Sequence, residues 1–183
     1  MRIIAGKYKG RKLETPLDKR IRPTGEKVKE AIFSAILPYI NDAVCCDLFA
    51  GTAGLGLEAL SRGSKKCYFV DIDRTAIALI KNNIAKCNAE GDSVVIFGDY
   101  NKGLKRINEK IDVFFLDPPY HDGLYEKVIN SIDLLDLLSD EGIIVSEHPK
   151  EVVLPEEIGR LTVAKSKNYG KTVVTYYIKK ETR

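Results

Sequence analysis

Apolar residues along this chain fall into two alternating rhythms. Short runs that are apolar almost throughout, AVCCDLFA (43–50), KCYFVDID (66–73), SVVIFGD (93–99), DVFFLD (112–117) and GIIVSEH (142–148), predict strands covered on both faces. Segments with apolar positions at helical spacing lie among them. These are RPTGEKVKEAIFSAIL (22–37), GLGLEALSRG (54–63), RTAIALIKNNIAKC (74–87) and LYEKVINSIDLLDLL (124–138). The first of these helices has Thr24 as its expected cap, Glu26 in its first turn and Pro38 as its end. Strands that alternate with helices need long crossovers, so the pattern predicts an α/β fold with a doubly wound, mostly parallel sheet. Two stretches depart from it. The first twenty or so residues break short apolar pieces with Gly6, Gly10 and Pro16, which predicts a small hairpin or extended arm. RLTVAKSKNYGKTVVTYYIKK (160–180) predicts a C-terminal antiparallel hairpin on the sheet edge, turning near Asn168, Tyr169 and Gly170. On such an edge strand Tyr176 and Tyr177 would face opposite sides, with at most one of them buried.

At 183 residues and 44% hydrophobic content the chain suffices for one domain, 1–183, with a core of its own. Its opening, MRIIAGKYKG, places charge where a signal peptide needs an apolar run, and no later stretch reaches the length of a bilayer span; a cytoplasmic protein with no membrane partner is expected. Cys45, Cys46, Cys67 and Cys87 show no CxxC spacing and only two histidines are present, so the expectation is reduced, mostly buried thiols and no metal site. The net charge of +3 is unevenly spread. Residues 1–22 hold eight basic side chains (Arg2, Lys7, Lys9, Arg11, Lys12, Lys19, Arg20, Arg22) against Glu14 and Asp18, a balance of +6, and residues 23–183 carry the remaining −3. This predicts a basic arm for a polyanion attached to a neutral-to-acidic core.

In an open parallel sheet the ligand site lies beyond the carboxyl ends of the strands, so the residues there bear most on function. In chain order these ends are Asp47 with the following FAGTAGLG, then Asp71 and Asp73, then Asp99, then DPPY. Gly51, Gly54 and Gly56 let backbone approach a ligand just ahead of a helix, and Asp71 follows Gly51 by 20 residues, the usual place for an acid that grips a ribose. The spacing is GxxGxG and not the dinucleotide GxGxxG, and an acidic rim repels a pyrophosphate. A cationic, ribose-bearing cofactor without phosphates suits it better. S-adenosyl-L-methionine has that chemistry.

The segment FFLDPPY (114–120) drives a buried strand into an acid, two prolines and an aromatic ring. Consecutive prolines remove two backbone donors and stiffen the turn, leaving acceptors only. Such acceptors suit an exocyclic amine on a nucleobase. Hydrogen bonds from its two hydrogens to the Asp117 carboxylate and the Pro118 carbonyl would hold the nitrogen and aim its lone pair at an electrophilic methyl. Pro119 stiffens this turn, and Tyr120 offers a stacking face.

Together these residues resemble the class I S-adenosylmethionine-dependent amino-methyltransferases. Within that class RIIAGKYKGRKL, the RPT ahead of the first helix, DLFAGTAGLGLEALSRG, VDID and DPPY are similar to the RsmD family of 16S ribosomal RNA (guanine-N2)-methyltransferases, over nearly the whole chain and in the same order. The resemblance implies a seven-stranded sheet with the last hairpin at one edge and 16S ribosomal RNA or the small ribosomal subunit as partner. It also implies cofactor contacts from Asp47, Phe49, Ala50, Gly51, Thr52, Gly54, Asp71, Ile72, Asp99 and Tyr100. The target amine would be held by Asp117, Pro118, Pro119 and Tyr120. The candidates for RNA contact, Arg2, Lys7, Lys9, Arg11, Lys12 and Arg22, come from the basic charge of the arm and not from the resemblance. The choice of guanine comes from the family alone.

Other readings of the residues stay open. DPPY also suits a DNA amino-methyltransferase, although this chain has no room for a separate target-recognition region, or a protein-glutamine methyltransferase, against which the basic arm argues. A pyrimidine carbon-5 methyltransferase needs a cysteine nucleophile, and none of the four follows a proline. A nicotinamide dehydrogenase would need GxGxxG, and a non-catalytic RNA-binding module would not need Asp117. His121 reads as a loop residue and His148, before Pro149, as a strand end.

Overall fold

The computed structural model describes residues 1–17, 24–119 and 123–181. Arg22, Tyr120 and His121 lie outside the described residues. Eight strands form one sheet: β1 (Val44–Leu48), β2 (Lys66–Asp71), β3 (Ser93–Phe97), β4 (Ile111–Leu116), β5 (Leu138–Pro149), β6 (Glu157–Ile158), β7 (Leu161–Tyr169) and β8 (Thr172–Lys179). Their order is β3-β2-β1-β4-β5-β8-β7-β6, parallel from β3 to β5 and antiparallel beyond. The chain runs outward from β1 through β2 to β3, then returns to β4 on the other side of β1. That reversal opens a crevice at the carboxyl ends of β1 and β4.

Among the described residues six α-helices precede or connect the strands up to β5: α1 (Glu26–Ala35), α2 (Leu37–Ile40), α3 (Gly54–Ser61), α4 (Arg74–Lys86), α5 (Tyr100–Lys105) and α6 (Leu124–Leu134). One sheet face packs Ile32 and Phe33 of α1, Leu57 and Leu60 of α3 and Ile77, Ile80 and Ile84 of α4. The other packs Leu104 of α5 and Val128, Ile129 and Ile132 of α6. This two-sided cover is why the parallel strands read as unbroken apolar runs. Cys45, Cys46, Cys67 and Cys87 are free thiols and all are buried.

Five expectations need correction. The sheet has eight strands and not seven, because the two-residue β6 pairs with the start of β7. The strand β8 is not at the edge; it lies between β5 and β7, so Tyr176 and Tyr177 are both buried, one in each face's core. Thr24 does not cap α1. Gly25 occupies that position without a side-chain cap, and the Thr24 hydroxyl donates instead to Glu147 Oε2 at 2.8 Å. Pro38 does not end the first helix: α1 stops at Ala35, and Pro38 sits in the first turn of α2, where its missing N–H costs nothing. The helix expected over 124–138 ends at Leu134, and Leu138 already belongs to β5. The short α5 has no apolar periodicity long enough to announce it.

The N-terminal arm is folded onto the core. Ile3, Tyr8 and Leu13 are buried, Arg2 bridges antiparallel to Lys12, and the backbone N–H groups of Ile4 and Ala5 donate to the Glu58 carboxylate at 2.9 and 3.1 Å. Glu58, wholly buried in α3, also meets Lys29 Nζ at 3.2 Å and Arg62 Nε at 2.9 Å. Burial pushes the Lys29 ammonium below its ordinary value, and the Glu58 charge opposes that shift. Farther along the arm, buried Asn83 of α4 accepts from Glu14 N–H at 2.7 Å and donates to the carbonyls of Glu14 and Thr52. A single amide thereby joins arm, α4 and the loop after β1.

Candidate active site

A cavity of ≈ 560 Å³ occupies the crevice at the carboxyl ends of β1 and β4, the size of a small-molecule site. One wall is the loop from Phe49 to Ala53. Phe49 (φ 66°), Gly51 (φ 59°) and Ala53 (φ 67°) all take left-handed backbone conformations, and two of the three pay a Cβ cost to do so. Such strain persists only where neighbours hold it, and here it turns the loop's backbone toward the cavity. Gly51 N–H donates to Asp71 Oδ2 and Asp73 N–H to Asp71 Oδ1, each at 2.9 Å. Asp71 is thus fixed in place by two backbone donors while its carboxylate stays on the cavity wall. Gly56 serves packing instead: a Cβ there would meet the Phe69 ring at 2.4 Å.

Asp47, 3% exposed, accepts from Gly56 N–H at 2.9 Å at the start of α3. Burial raises its carboxyl to about 8, with the Asp71 charge adding to the effect. Its Cα is in register with Phe115 of β4, and Asp117 follows two residues later on the same sheet face. Asp117, half-buried, is held well above the ordinary carboxylate value by loss of solvation and then by the charges of Glu147 and Asp47. Glu147 is raised in turn by its own burial, which the Thr24 hydroxyl partly offsets. Among the described residues of the cavity wall the acids Asp47, Asp71, Asp73 and Asp117 face one cationic side chain, Lys29, whose charge is already engaged by Glu58. The interior therefore suits a positive guest and repels phosphates.

Of the residues singled out by sequence, Asp47, Phe49, Ala50, Gly51, Thr52, Gly54, Asp71, Ile72, Asp117, Pro118 and Pro119 line this one cavity. Asp99 and Tyr100 do not. Asp99 caps α5, accepting from Lys102 N–H at 2.8 Å, and the Tyr100 ring leans on Phe49 with centroids 6.2 Å apart. In the arm, Arg2 pairs with Glu26, Lys7 lies 3.8 Å from Asp92, and Arg11 donates to the Lys86 carbonyl, while Lys9 and Lys12 are exposed. Sequence reasoning missed Met1, Thr24 and Lys29 in the wall and Glu147 beside Asp117. A lysine beside the apolar stripe of α1, next to Val28 and ahead of Ile32, was the available signal for Lys29; Glu147 becomes visible only once β4 and β5 are paired.

Comparison with known proteins decides the family. The family described as Conserved hypothetical protein 95 matches residues 1–178. The ribosomal RNA small subunit methyltransferase D of Haemophilus influenzae is 37% identical over 181 residues, covering 96% of this chain and 91% of that protein. The chain belongs to the RsmD family. Another relative, YlbH of Bacillus subtilis, is 40% identical over 183 residues, with 98% of this chain and all of that one covered. The solved structure of yhhF from Escherichia coli superposes with a TM-score of 0.88 at 32% identity, covering 98% of this chain and 97% of the other. The whole chain shares in this likeness, the N-terminal arm and the last three strands included.

Proposed function

We propose that this RsmD-family methyltransferase transfers a methyl group from S-adenosyl-L-methionine to the exocyclic N2 amine of a guanine in 16S ribosomal RNA, in the cytoplasm and as one catalytic unit. One observation carries the reading: the acceptor turn at Asp117 and Pro118 opens into the same cavity as the Gly51 loop and Asp71. A ribose-gripping wall and an amine-gripping wall face one space.

The donor set fits the cofactor. Asp71, immobilised by Gly51 and Asp73, is placed to accept from ribose hydroxyls, and Asp47 with Asp73 supplies negative charge for an ammonium and a sulfonium. When bound, S-adenosylmethionine supplies an electrophilic methyl on a positive sulfur. Asp117 and the Pro118 carbonyl hold the two hydrogens of the target amine, which turns the nitrogen lone pair toward that methyl. The proton that the nitrogen sheds passes to the Asp117 carboxylate, whose raised affinity for protons suits it to receive one. Tyr120, outside the described residues, is assigned the stacking face for the base from the sequence alone. The basic arm, its apolar side chains anchored in the core, presents Lys9 and Lys12 outward to phosphates.

The names borne by the H. influenzae and E. coli relatives support the ribosomal substrate, and the choice of guanine N2 follows the family resemblance. Labelled S-adenosylmethionine offered with small ribosomal subunits, naked 16S ribosomal RNA and duplex DNA, followed by nucleoside analysis, tests it. Label in N2-methylguanosine is expected; label in N6-methyladenine of the duplex, or in no nucleoside, overturns the reading.

A further inference from the structure

We propose that the β7–β8 hairpin is a second RNA-binding wall of the substrate site, with Lys165, Lys167 and Lys171 contacting phosphates beside the target nucleotide. This rests on the RNA reading above and adds to it a surface on the flank away from the N-terminal arm.

Sheet register places the hairpin. Lys167 pairs with Val174, Val174 with Glu147, and Asp117 continues the β4–β5 register next to Glu147. Lys167, Val174, Glu147 and Asp117 therefore form one row across four strands, about 14 Å from end to end at ordinary strand spacing. A nucleotide seated at Asp117 has its neighbours in the strand within reach of that row. Because β8 runs antiparallel to β5, with Thr172 opposite Pro149, the hairpin turn at Gly170 rises at the same rim as the cavity.

A bulge aims the lysines. Val163 pairs with Tyr177 and Lys165 with Tyr176, so β7 carries one extra residue at Ala164. Val163 packs in the core under α6, whereas Tyr169 packs in the core under α1, α3 and α4. The extra residue turns Lys165 and Lys167 to the sheet face that holds Asp47 and Asp117; uninterrupted alternation would have sent them to the opposite face. From Val163 to Val173 the chain carries three lysines and no acid. Lys165, Lys167, Lys171 and neighbouring Lys150 are exposed and make no ion pair among the described residues. Lys150 N–H donates to the Lys171 carbonyl at 3.0 Å, which sets two of these cations side by side. Glu151, next to Lys150 in sequence, forms no ion pair with either of them among the described residues.

The arm docks on the other flank, against Glu58 and Ser61 of α3 and Asn83 of α4, over β1 and β2. The acceptor turn on β4 lies between arm and hairpin, where a strand held at both flanks would present one base to it. A competing role for the lysines is to guard an open edge, since β6 pairs with only the first two residues of β7. That role would account for the bulge and for Lys165 and Lys167 but gives no reason for Lys171 and Lys150, which are off the edge.

The test compares wild type with Lys165→Gln/Lys167→Gln/Lys171→Gln and with the three-arginine variant, on naked 16S ribosomal RNA and on small subunits. Cofactor affinity and melting temperature serve as folding controls, and single Lys167→Gln covers the case in which the triple variant fails them. The proposal expects KM for RNA to rise tenfold or more in the glutamine variant, with kcat at saturating RNA kept within twofold. The slope of log K against log salt should shrink by about 2, as for the loss of two or three phosphate contacts, and arginine should restore both. Wild-type KM and salt slope in the glutamine variant overturn it, as does aggregation of that variant with a monomeric fraction of normal KM. If wild-type enzyme methylates no RNA yet binds it through these lysines, the methylation reading fails and the hairpin proposal stands. If it methylates RNA without needing them, the reverse holds.

Discussion

Asp117 and Glu147 stand side by side at the carboxyl ends of β4 and β5, the pair next in line after Leu116 and Ser146. Two carboxylates on adjacent parallel strands, about 4.8 Å apart along the row, cannot both ionise cheaply. Asp117 must be ionised to accept from the amine. Since its folded-state value is raised, activity is retained at high pH and lost as pH falls through a point above the ordinary 3.8. Replacing Glu147 with Gln removes the neighbouring charge, so the acidic limb of kcat against pH should move to lower pH with the fold intact. An unmoved limb would leave the loss of solvation at Asp117, with the charge of Asp47, as what sets it.

Asp117→Ala removes the carboxylate acceptor and should lower turnover roughly a hundredfold, about 3 kcal/mol, with cofactor affinity little changed. Tyr120→Phe, which keeps the stacking face, should be mild; Tyr120→Ala should cost about 1–3 kcal/mol. Single-turnover rates on the RNA substrate give the ordering, and equal damage from the two Tyr120 variants would remove stacking from the account.

Asp71→Ala should weaken cofactor binding by about 1–3 kcal/mol through loss of charged acceptors. Because Asp71 also holds Gly51 N–H and Asp73 N–H, the same change should loosen the strained Phe49–Ala53 loop. Calorimetry reads the first effect and hydrogen exchange at Gly51 the second. Unchanged affinity would take Asp71 out of the site.

Asp47, raised to about 8, is protonated in the empty folded enzyme at neutral pH, whereas the unfolded chain has already released that proton above 3.8. Asp47 therefore makes the empty enzyme less stable as pH climbs from 3.8 toward 8, and nothing more is lost beyond. A cationic guest lowers the value, so binding should expel a proton and tighten with rising pH up to about 8. Titrations at pH 7 in buffers of different ionisation enthalpy count the protons released, and Asp47→Asn should abolish the release.

Glu58→Ala strands buried Lys29 and two backbone donors of the arm, and should destabilise the fold by about 3–5 kcal/mol. Denaturant midpoints measure it. A loss below 1 kcal/mol would mean that Ile3, Tyr8 and Leu13, with the hydrogen bonds to Ser61 and Asn83, are enough to dock the arm.

The sheet and the end at which the cavity opens were legible because parallel strands covered on both faces are long apolar runs that stop at polar punctuation, as at Asp47, Asp71 and Asp117. What stayed hidden depends on which strands become neighbours. The burial of Tyr176 and Tyr177 follows from β8 having β7 outside it, and the meeting of Glu147 with Asp117 follows from strand order; neither is a local property of the chain. One oxygen of Asp99, Oδ1, meets the first turn of α5, a capping role that its place at a strand end did not announce. Thr24 was misplaced for the opposite reason: its hydroxyl reaches Glu147 on another strand instead of capping its own helix.

The four sequestered cysteines have a practical consequence. Burial pushes the Cys45 thiol up to about 12 and raises those of Cys46, Cys67 and Cys87, so at neutral pH the native enzyme offers almost no thiolate to an alkylating reagent. A single cysteine placed on the surface, at position 167 or in the arm, would be the sole reactive sulfur. Fluorophores and photocrosslinkers could then be attached at one chosen point without first rebuilding the protein's interior.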